Sequence, residues 1–457
     1  MVLNKKKTMN STTTTKIDNY IQTKVMLELP NLYKILVNGD FKKYEEEIVA
    51  LLLDVQNQIT EEMLHQASIA VYDKLEEEEK EKGGRNIEER KLTICTGTGH
   101  EVKVVSPYVK RPKNKKKGRR HLLGEYWSII SGSSPALYDK VGYCSAIGPS
   151  YDMSHQTLKK FGVSLCLSSV QDITNSLANR CYEFGEEKLQ LRLTESLVGK
   201  IVVISIDGGR TLTRDYSGEV NGNGQKTYES NWREPKLFII TVLDKKGNIE
   251  KYKLPIYGCR FGETEVLELL EKYLKILKIH KAKQVQIIAD GALWIWDKMK
   301  TLLLKLEVPS KRIVETLDYY HGLEYVHRLV SNMPKRVEEK RRERYLKQFK
   351  ELLWEGRSGR ISKICETIYK RPGKLIKRWM NYLTKHEART QYADYKLNNL
   401  MCGSGIIESG IRRIINLRFK NTSTFWKKEN VEKLYFLRAA LLSKRWNIVM
   451  ENISKYA

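Results

Sequence analysis

Between residues 199 and 210 the chain reads GKIVVISIDGGR, in which five apolar positions, Ile201, Val202, Val203, Ile204 and Ile206, are interrupted by one hydroxyl and stop at Asp207-Gly208-Gly209. A short β-branched run that is apolar on both faces predicts a strand buried on both sides, and paired glycines predict a turn at its end. A carboxylate is thereby delivered to the rim of a buried sheet, where ligands of α/β proteins bind. Simple capping of the turn by Asp207 is the other reading of the same residues. Two later runs have the same form: QVQIIAD at 284–290, followed by Gly291 and an aromatic-rich helix from Leu293, and residues 312–317, which end at Asp318 with His321 three positions on. Residues 235–243, PKLFIITVL, turn at 244–247 into 249–257 and predict antiparallel partners for the first strand; 266–277 predict an amphipathic helix. The polar stretch 211–231, rich in Gly, Asn and Thr, reads as a flexible loop beside the first aspartate.

The order strand, hairpin strands, helix, strand, helix, strand, helix describes an α/β fold with a mixed sheet covered by helices. It resembles the ribonuclease H plan, in which the first and fourth strands are neighbours and Asp207 and Asp290 stand side by side. Two carboxylates so placed repel each other unless a cation lies between them. Oxygen ligands without cysteine suit a hard ion, Mg²⁺ or Mn²⁺, and two such ions about 3.5–4 Å apart serve phosphodiester displacement. A third acid is then needed for the second ion.

The remaining pattern is helical. Residues 1–84 form an N-terminal helical region: 1–15 are polar and of low complexity, expected to be disordered, and two or three helices follow up to the acidic run LEEEEKEKGG. Residues 85–120 alternate as a small hairpin and leave through KRPKNKKKGRR, where eight of eleven residues are basic and none is acidic. That segment, with Lys115, Lys116, Lys117, Arg119 and Arg120, reads either as a solvated loop or as an arm tracking phosphates. Residues 121–198 are helical. Within them 154–180 resemble a helix-turn-helix, with Ser168 as cap of a second helix whose Ser169 and Gln171 suit base edges; a plain helix pair is the alternative. The catalytic core is expected over 199–333, a basic helical insertion with Trp354 and Trp379 as core anchors over 334–400, and C-terminal helices completing the core over 401–457. Within the insertion, residues 334–389 carry 18 Lys or Arg against 7 Asp or Glu.

Charge sharpens this picture. Lys and Arg outnumber Asp and Glu by 81 to 55, a net +26 over 457 residues, and such a field attracts polyanions, above all nucleic acid. The start MVLNKKKTMNSTTTTKI lacks the apolar core of a signal peptide and no run approaches the length of a membrane span, so a cytoplasmic, nucleoid-associated protein with no membrane partner is expected. Seven cysteines without a C-x-x-C pair argue for reduced thiols and against a zinc knuckle.

The third acid comes from CGSGIIESGIRRIINLRFK at 402–420. Glu408 falls in the first turns of a helix, with Arg412 and Asn416 at i+4 and i+8 on its face and Arg413 adjacent; an ordinary Glu/Arg helix pair is the bland reading. Taken with IDGGR at 206–210, ADGALWIW at 289–296 and the Asp318-x-x-His321 pair, this motif resembles the bacterial insertion-sequence transposases of the DDE class, those with a helical insertion before the final glutamate, as in Mutator-like enzymes. The resemblance covers residues 199–446. It implies Asp207, Asp290 and Glu408 as catalytic and metal-binding acids, two Mg²⁺ or Mn²⁺ ions, Asp318 and His321 as accessory residues, and double-stranded DNA as partner, both terminal repeats and target, bound by a homodimer or higher assembly. The activity implied is cleavage at element ends and strand transfer. A ribonuclease H-like nuclease or resolvase that does not join, and a non-catalytic DNA-binding protein derived from a transposase, are the alternatives.

Overall fold

In a computed structural model of the chain, the described residues are 11–84, 86–110, 118–192, 194–224, 226–250, 255–420 and 426–456. They fall into two compact units, one running to Glu183 and joined by the residues from Met450 onward, the other Phe184–Val449. Among the described residues no helix is long and apolar enough to cross a membrane.

The first unit opens with an antiparallel pair of long helices, Ser11–Val37 and Phe41–Glu81. Gly39, at φ +78°, makes the turn between them, and Asp40 caps the second by accepting the Lys43 N–H. Helix thus begins at Ser11, inside the stretch expected to be disordered, and further along it Tyr20 donates to Asp54 on the partner helix at 2.8 Å. β1 (Ile87–Cys95) and β2 (Glu101–Val109) form the alternating hairpin, and β3 (Arg120–His121) pairs with the end of β2. Ile94, Val102, Val104 and Val109 join a core shared with Leu75 of the long helix. After the short helix Leu122–Tyr126 come three longer ones, Pro135–Ile147, Tyr151–Lys160 and Leu167–Phe184, the first two of these capped by Ser134 and Ser150. The third starts at Leu167, so Ser168 lies inside it and is not its cap.

The second unit is a mixed α/β structure. Its strands are β4 (Ile201–Gly208), β5 (Thr211–Val220), β6 (Lys226–Arg233), β7 (Lys236–Leu243), β8 (Ile256–Arg260), β9 (Gln284–Ala289) and β10 (Ile313–Leu317). Five of them form one sheet in the order β10-β9-β4-β7-β8, with β4, β9 and β10 parallel and β7 antiparallel to both β4 and β8. Val202, Ile204, Ile206, Phe238, Val285 and Ile287 pack one face against Val266, Leu270 and Tyr273 of the helix Glu263–Ile276 and Ile295, Met299 and Leu303 of Leu293–Lys305. The helix Gly405–Ile411 lies on β4 and β7. Gly410 permits that approach, since a Cβ there would sit 2.7 Å from Ile239 Cδ1. The stretch read as a flexible loop is instead the two-stranded hairpin β5–β6, and the last strand of the meander begins at Ile256, past residues 251–254, which lie outside the described set.

Helices Glu339–Trp354, Ser358–Tyr369 and Lys374–Lys385 make a second core around Phe349, Leu353, Ile361, Cys365, Trp379 and Leu383, with Trp354 packed at its edge. Three tyrosine hydroxyls fasten this helical subassembly to the sheet: Tyr382 donates to the Asp290 carbonyl (2.7 Å), Tyr392 to that of Leu317 (3.0 Å) and Tyr395 to that of Glu315 (2.9 Å). Burial raises the pKa of all three, so they remain protonated donors.

Candidate active site

The three parallel strands end on one rim. The β4–β9 register runs to Ser205 opposite Ile288, which puts Asp207 opposite Asp290 two residues further on, and Asp318 follows β10, whose Leu317 lies opposite Ala289. Two of these acids are electrostatically coupled. The Asp207 carboxyl is pushed up to about 7, first by burial, next by the charge of Asp290 and then by Glu234; the Gly208 N–H and Lys236 oppose the shift. Each of the pair holds a local backbone bond, Asp207 Oδ1 from the Gly208 N–H (2.6 Å) and Asp290 Oδ1 from the Ala292 N–H (3.1 Å). Gly291, at φ +94°, makes the turn after Asp290, and the Tyr382 hydroxyl occupies the space a Cβ there would need.

Asp318 does different work. It is 2% exposed; one oxygen caps the helix Tyr319–Ser331 by accepting the His321 N–H at 2.7 Å, and the other accepts the Ser404 N–H. Beside it the Tyr319 N–H bonds the Cys402 carbonyl at 3.0 Å. Gln286, fully buried in β9, grips the same returning segment from both sides, donating to the Met401 carbonyl (2.6 Å) and accepting its N–H (3.0 Å). The start of the Glu408 helix is therefore pinned to the rim by side chains of β9 and of the residue after β10. His321 faces aromatic neighbours, with ring centroids 5.5 Å from Tyr325 and 6.0 Å from Tyr382.

Glu408 itself is exposed and is not among the charges that shift Asp207. Its helix is nevertheless close to the rim, because Ile411 and Ile415 close over Gly209, where a Cβ would lie 2.7 Å from Ile415 Cδ1. Among the described residues no three His, Cys, Asp or Glu side chains are grouped to hold a metal ion. The structure thus brings Asp207 and Asp290 together and leaves Glu408 outside the pair. It also adds Glu234, salt-bridged to Lys236 at 2.7 Å and packed on Gly208. The register that sets Gly208 opposite Lys236 brings it there, and reading 211–231 as a loop conceals that register.

The face shared by Glu408, Arg412 and Asn416 is not kept. The α-helix ends at Ile411 and residues Arg412–Asn416 form a π-turn, whose i→i+5 bonding puts an extra residue into the turn and rotates Asn416 out of the 3.6-residue register. Arg438, 5% exposed on the helix Lys428–Leu442, supplies the reason: its guanidinium donates to the Ile414 carbonyl (2.9 Å) and to that of Arg413. Asn416 Oδ1 is buried and has no hydrogen-bond partner among the described residues, while Arg412 is exposed. Arg413 is directed to the Tyr257 hydroxyl and the Ser409 carbonyl rather than outward.

In the first unit, Arg120 is ion-paired between Glu79 (2.7 Å) and Glu125 (2.8 Å) and is not a free phosphate contact, since its charge already faces two carboxylates. Arg119 is exposed; Lys115, Lys116 and Lys117 lie outside the described residues. On the helix Leu167–Phe184, Gln171 is partly exposed and the Ser169 hydroxyl meets Cys166 Sγ at 3.0 Å.

No family model matches this chain, and no curated protein matches it. Among solved structures it is similar to the Drosophila P element transposase strand transfer complex, at a TM-score of 0.25 and 10% identity over 70% of this chain and 81% of that one. A likeness that slight establishes neither a family nor an activity.

Proposed function

We propose that this chain is a DNA-cleaving and strand-transferring enzyme, a transposase of the DDE class with a ribonuclease H-like core. The observation that carries this reading is the strand order β10-β9-β4-β7-β8 with Asp207 and Asp290 at the ends of its adjacent parallel strands. That order, with the acids on neighbouring parallel strands, supports a ribonuclease H-like reading. The net charge of +26 supports a polyanionic substrate.

The donor set fits a hard divalent cation in part. Asp207 and Asp290 are oxygen donors, and the raised pKa of Asp207 marks a charge that a cation would neutralise. They would hold Mg²⁺ or Mn²⁺, and Glu408 would join the second of two ions once its exposed carboxylate turns inward. When bound, the ions polarise the phosphodiester and favour the attacking and leaving oxygens. The chain's own part is positional. β4 and β9 fix the acid pair, Tyr382 fixes the backbone at Asp290, and Asp318 and Gln286 fix the segment from which the Glu408 helix departs.

The test is incubation of the protein with labelled element ends and a target plasmid in Mg²⁺ or Mn²⁺. Joined products are expected, lost in Asp207→Asn, Asp290→Asn and Glu408→Gln; joining by any of these variants overturns the reading. Cleavage without joining identifies a ribonuclease H-like nuclease instead. A non-catalytic DNA-binding protein is favoured by one observation, that both aspartates cap their own turns. That reading requires DNA binding with no metal requirement and no nicking.

A further inference from the structure

The strand pair that carries Asp207 does not stop at the rim. Beyond Gly208-Gly209 on one side and Glu234-Pro235 on the other, where the Gly209 N–H bonds the Pro235 carbonyl at 2.8 Å, β4 and β7 continue as the hairpin β5–β6. Cross-strand pairing sets Leu212 opposite Trp232, Arg214 opposite Ser230 and Tyr216 opposite Tyr228, so strand alternation places these six side chains on one face. The opposite face is satisfied internally, with Asp215 accepting from Asn231 (2.9 Å) and Arg233 (2.7 Å).

The first face has an unusual composition for a surface ribbon. Trp232 is 51% exposed and Tyr216 and Tyr228 are each 41% exposed. The Arg214 guanidinium lies 5.4 Å from the Tyr216 ring centroid and 6.0 Å from that of Tyr228, and Lys427 Nζ lies 5.6 Å over Tyr216. Exposed rings interleaved with cations match unpaired bases flanked by phosphates, whereas a duplex groove is read by polar side chains and an apolar protein surface gives the cations no counter-charge. At roughly 3.3 Å per residue the ribbon's rings begin within about 15–25 Å of Asp207.

We propose that the β5–β6 hairpin is a stacking platform for unpaired nucleotides of the DNA strand that enters the Asp207–Asp290 rim. The proposal rests on the reading of that rim as a DNA-cleaving site. It is tested by fluorescence anisotropy in EDTA, using the full chain with a blunt duplex and with the same duplex carrying a short single-stranded overhang. Overhang binding is expected to be tighter, with Trp232→Ala or the pair Tyr216→Ala and Tyr228→Ala weakening it by roughly tenfold or more per ring. Trp232→Phe should restore it, and blunt-duplex binding should change little. Unchanged overhang binding in the alanine variants overturns the proposal, as does an equal loss on both duplexes. Unchanged thermal melting shows that the variants are folded. Metal-dependent cleavage by the wild-type chain is scored separately, so loss of the platform and loss of the rim's assigned activity give different results.

Discussion

Asp318 and Ser404 are 86 residues apart in the chain, yet the carboxylate of one accepts the backbone N–H of the other at the edge of the sheet. The same carboxylate caps the helix that leaves β10. Replacing Asp318 with Ala removes both bonds from a buried site and is expected to destabilise the second unit by about 2–4 kcal/mol. Thermal unfolding measures the loss. Asp318→Asn, which keeps one acceptor oxygen, should cost less than half as much.

Asp207 and Asp290 raise a second expectation. Because the charge of Asp290 follows burial among the causes that raise the Asp207 pKa, Asp290→Asn should bring it down from about 7 without returning it to 3.8, since burial persists. Carboxyl-selective NMR titration of Asp207 reads this directly. An unmoved midpoint would show that the two groups are not coupled.

The same shift sets the pH dependence of the metal-free fold. With its folded pKa raised above the ordinary 3.8 to about 7, Asp207 contributes stability that is full below about pH 4 and is lost as pH rises through 7. Melting temperature should therefore fall more steeply between pH 5 and 8 in the wild type than in Asp207→Asn. Added Mn²⁺ should raise it more at pH 8 than at pH 5, because the cation competes with the proton.

Arg438 offers a test of the π-turn. Arg438→Met strips two buried carbonyls of their donor, and a loss of roughly 2–4 kcal/mol is expected. Cleavage should fall with it, because the Arg412–Asn416 turn continues the helix that carries Glu408. Retention of wild-type stability would mean that water or another side chain takes over both acceptors.

Gly291→Ala is expected to be costly for two reasons at once. The position has φ +94°, and the new methyl would collide with the Tyr382 hydroxyl that holds the Asp290 carbonyl. A drop of about 1–3 kcal/mol in unfolding free energy should accompany reduced cleavage, and Tyr382→Phe combined with Gly291→Ala should be less than additive.

The central sheet was legible because its evidence is local. Val202, Val203 and Ile204, like Ile287 and Ile288, are buried on both faces, so an unbroken apolar run marks each strand, and the helices between them imply the parallel neighbours. The hairpin at 211–233 was not legible. Its Gly, Asn and Thr content imitates a loop, and its pairing comes from continuation of β4 and β7, a relationship no window of sequence contains. Glu408, Arg412 and Asn416 show the same limit. Regular spacing predicts one face, but Arg438, contributed by a later helix, widens the turn and turns Asn416 inward. Arg120 reads as one of a basic run, and only the fold reveals Glu79 and Glu125 beside it.

The bond between the Tyr319 N–H and the Cys402 carbonyl has an architectural consequence. It makes the long helical excursion leave and return through one doorway in the sheet, so everything hung between those two residues is topologically a cassette. Shortening or exchanging that cassette changes a closed appendage and leaves the strand connections intact, and the entropy of closing the detour varies only slowly with its length. Variants of this chain with appendages of different sizes should therefore share one strand framework and differ mainly in the basic surface they present.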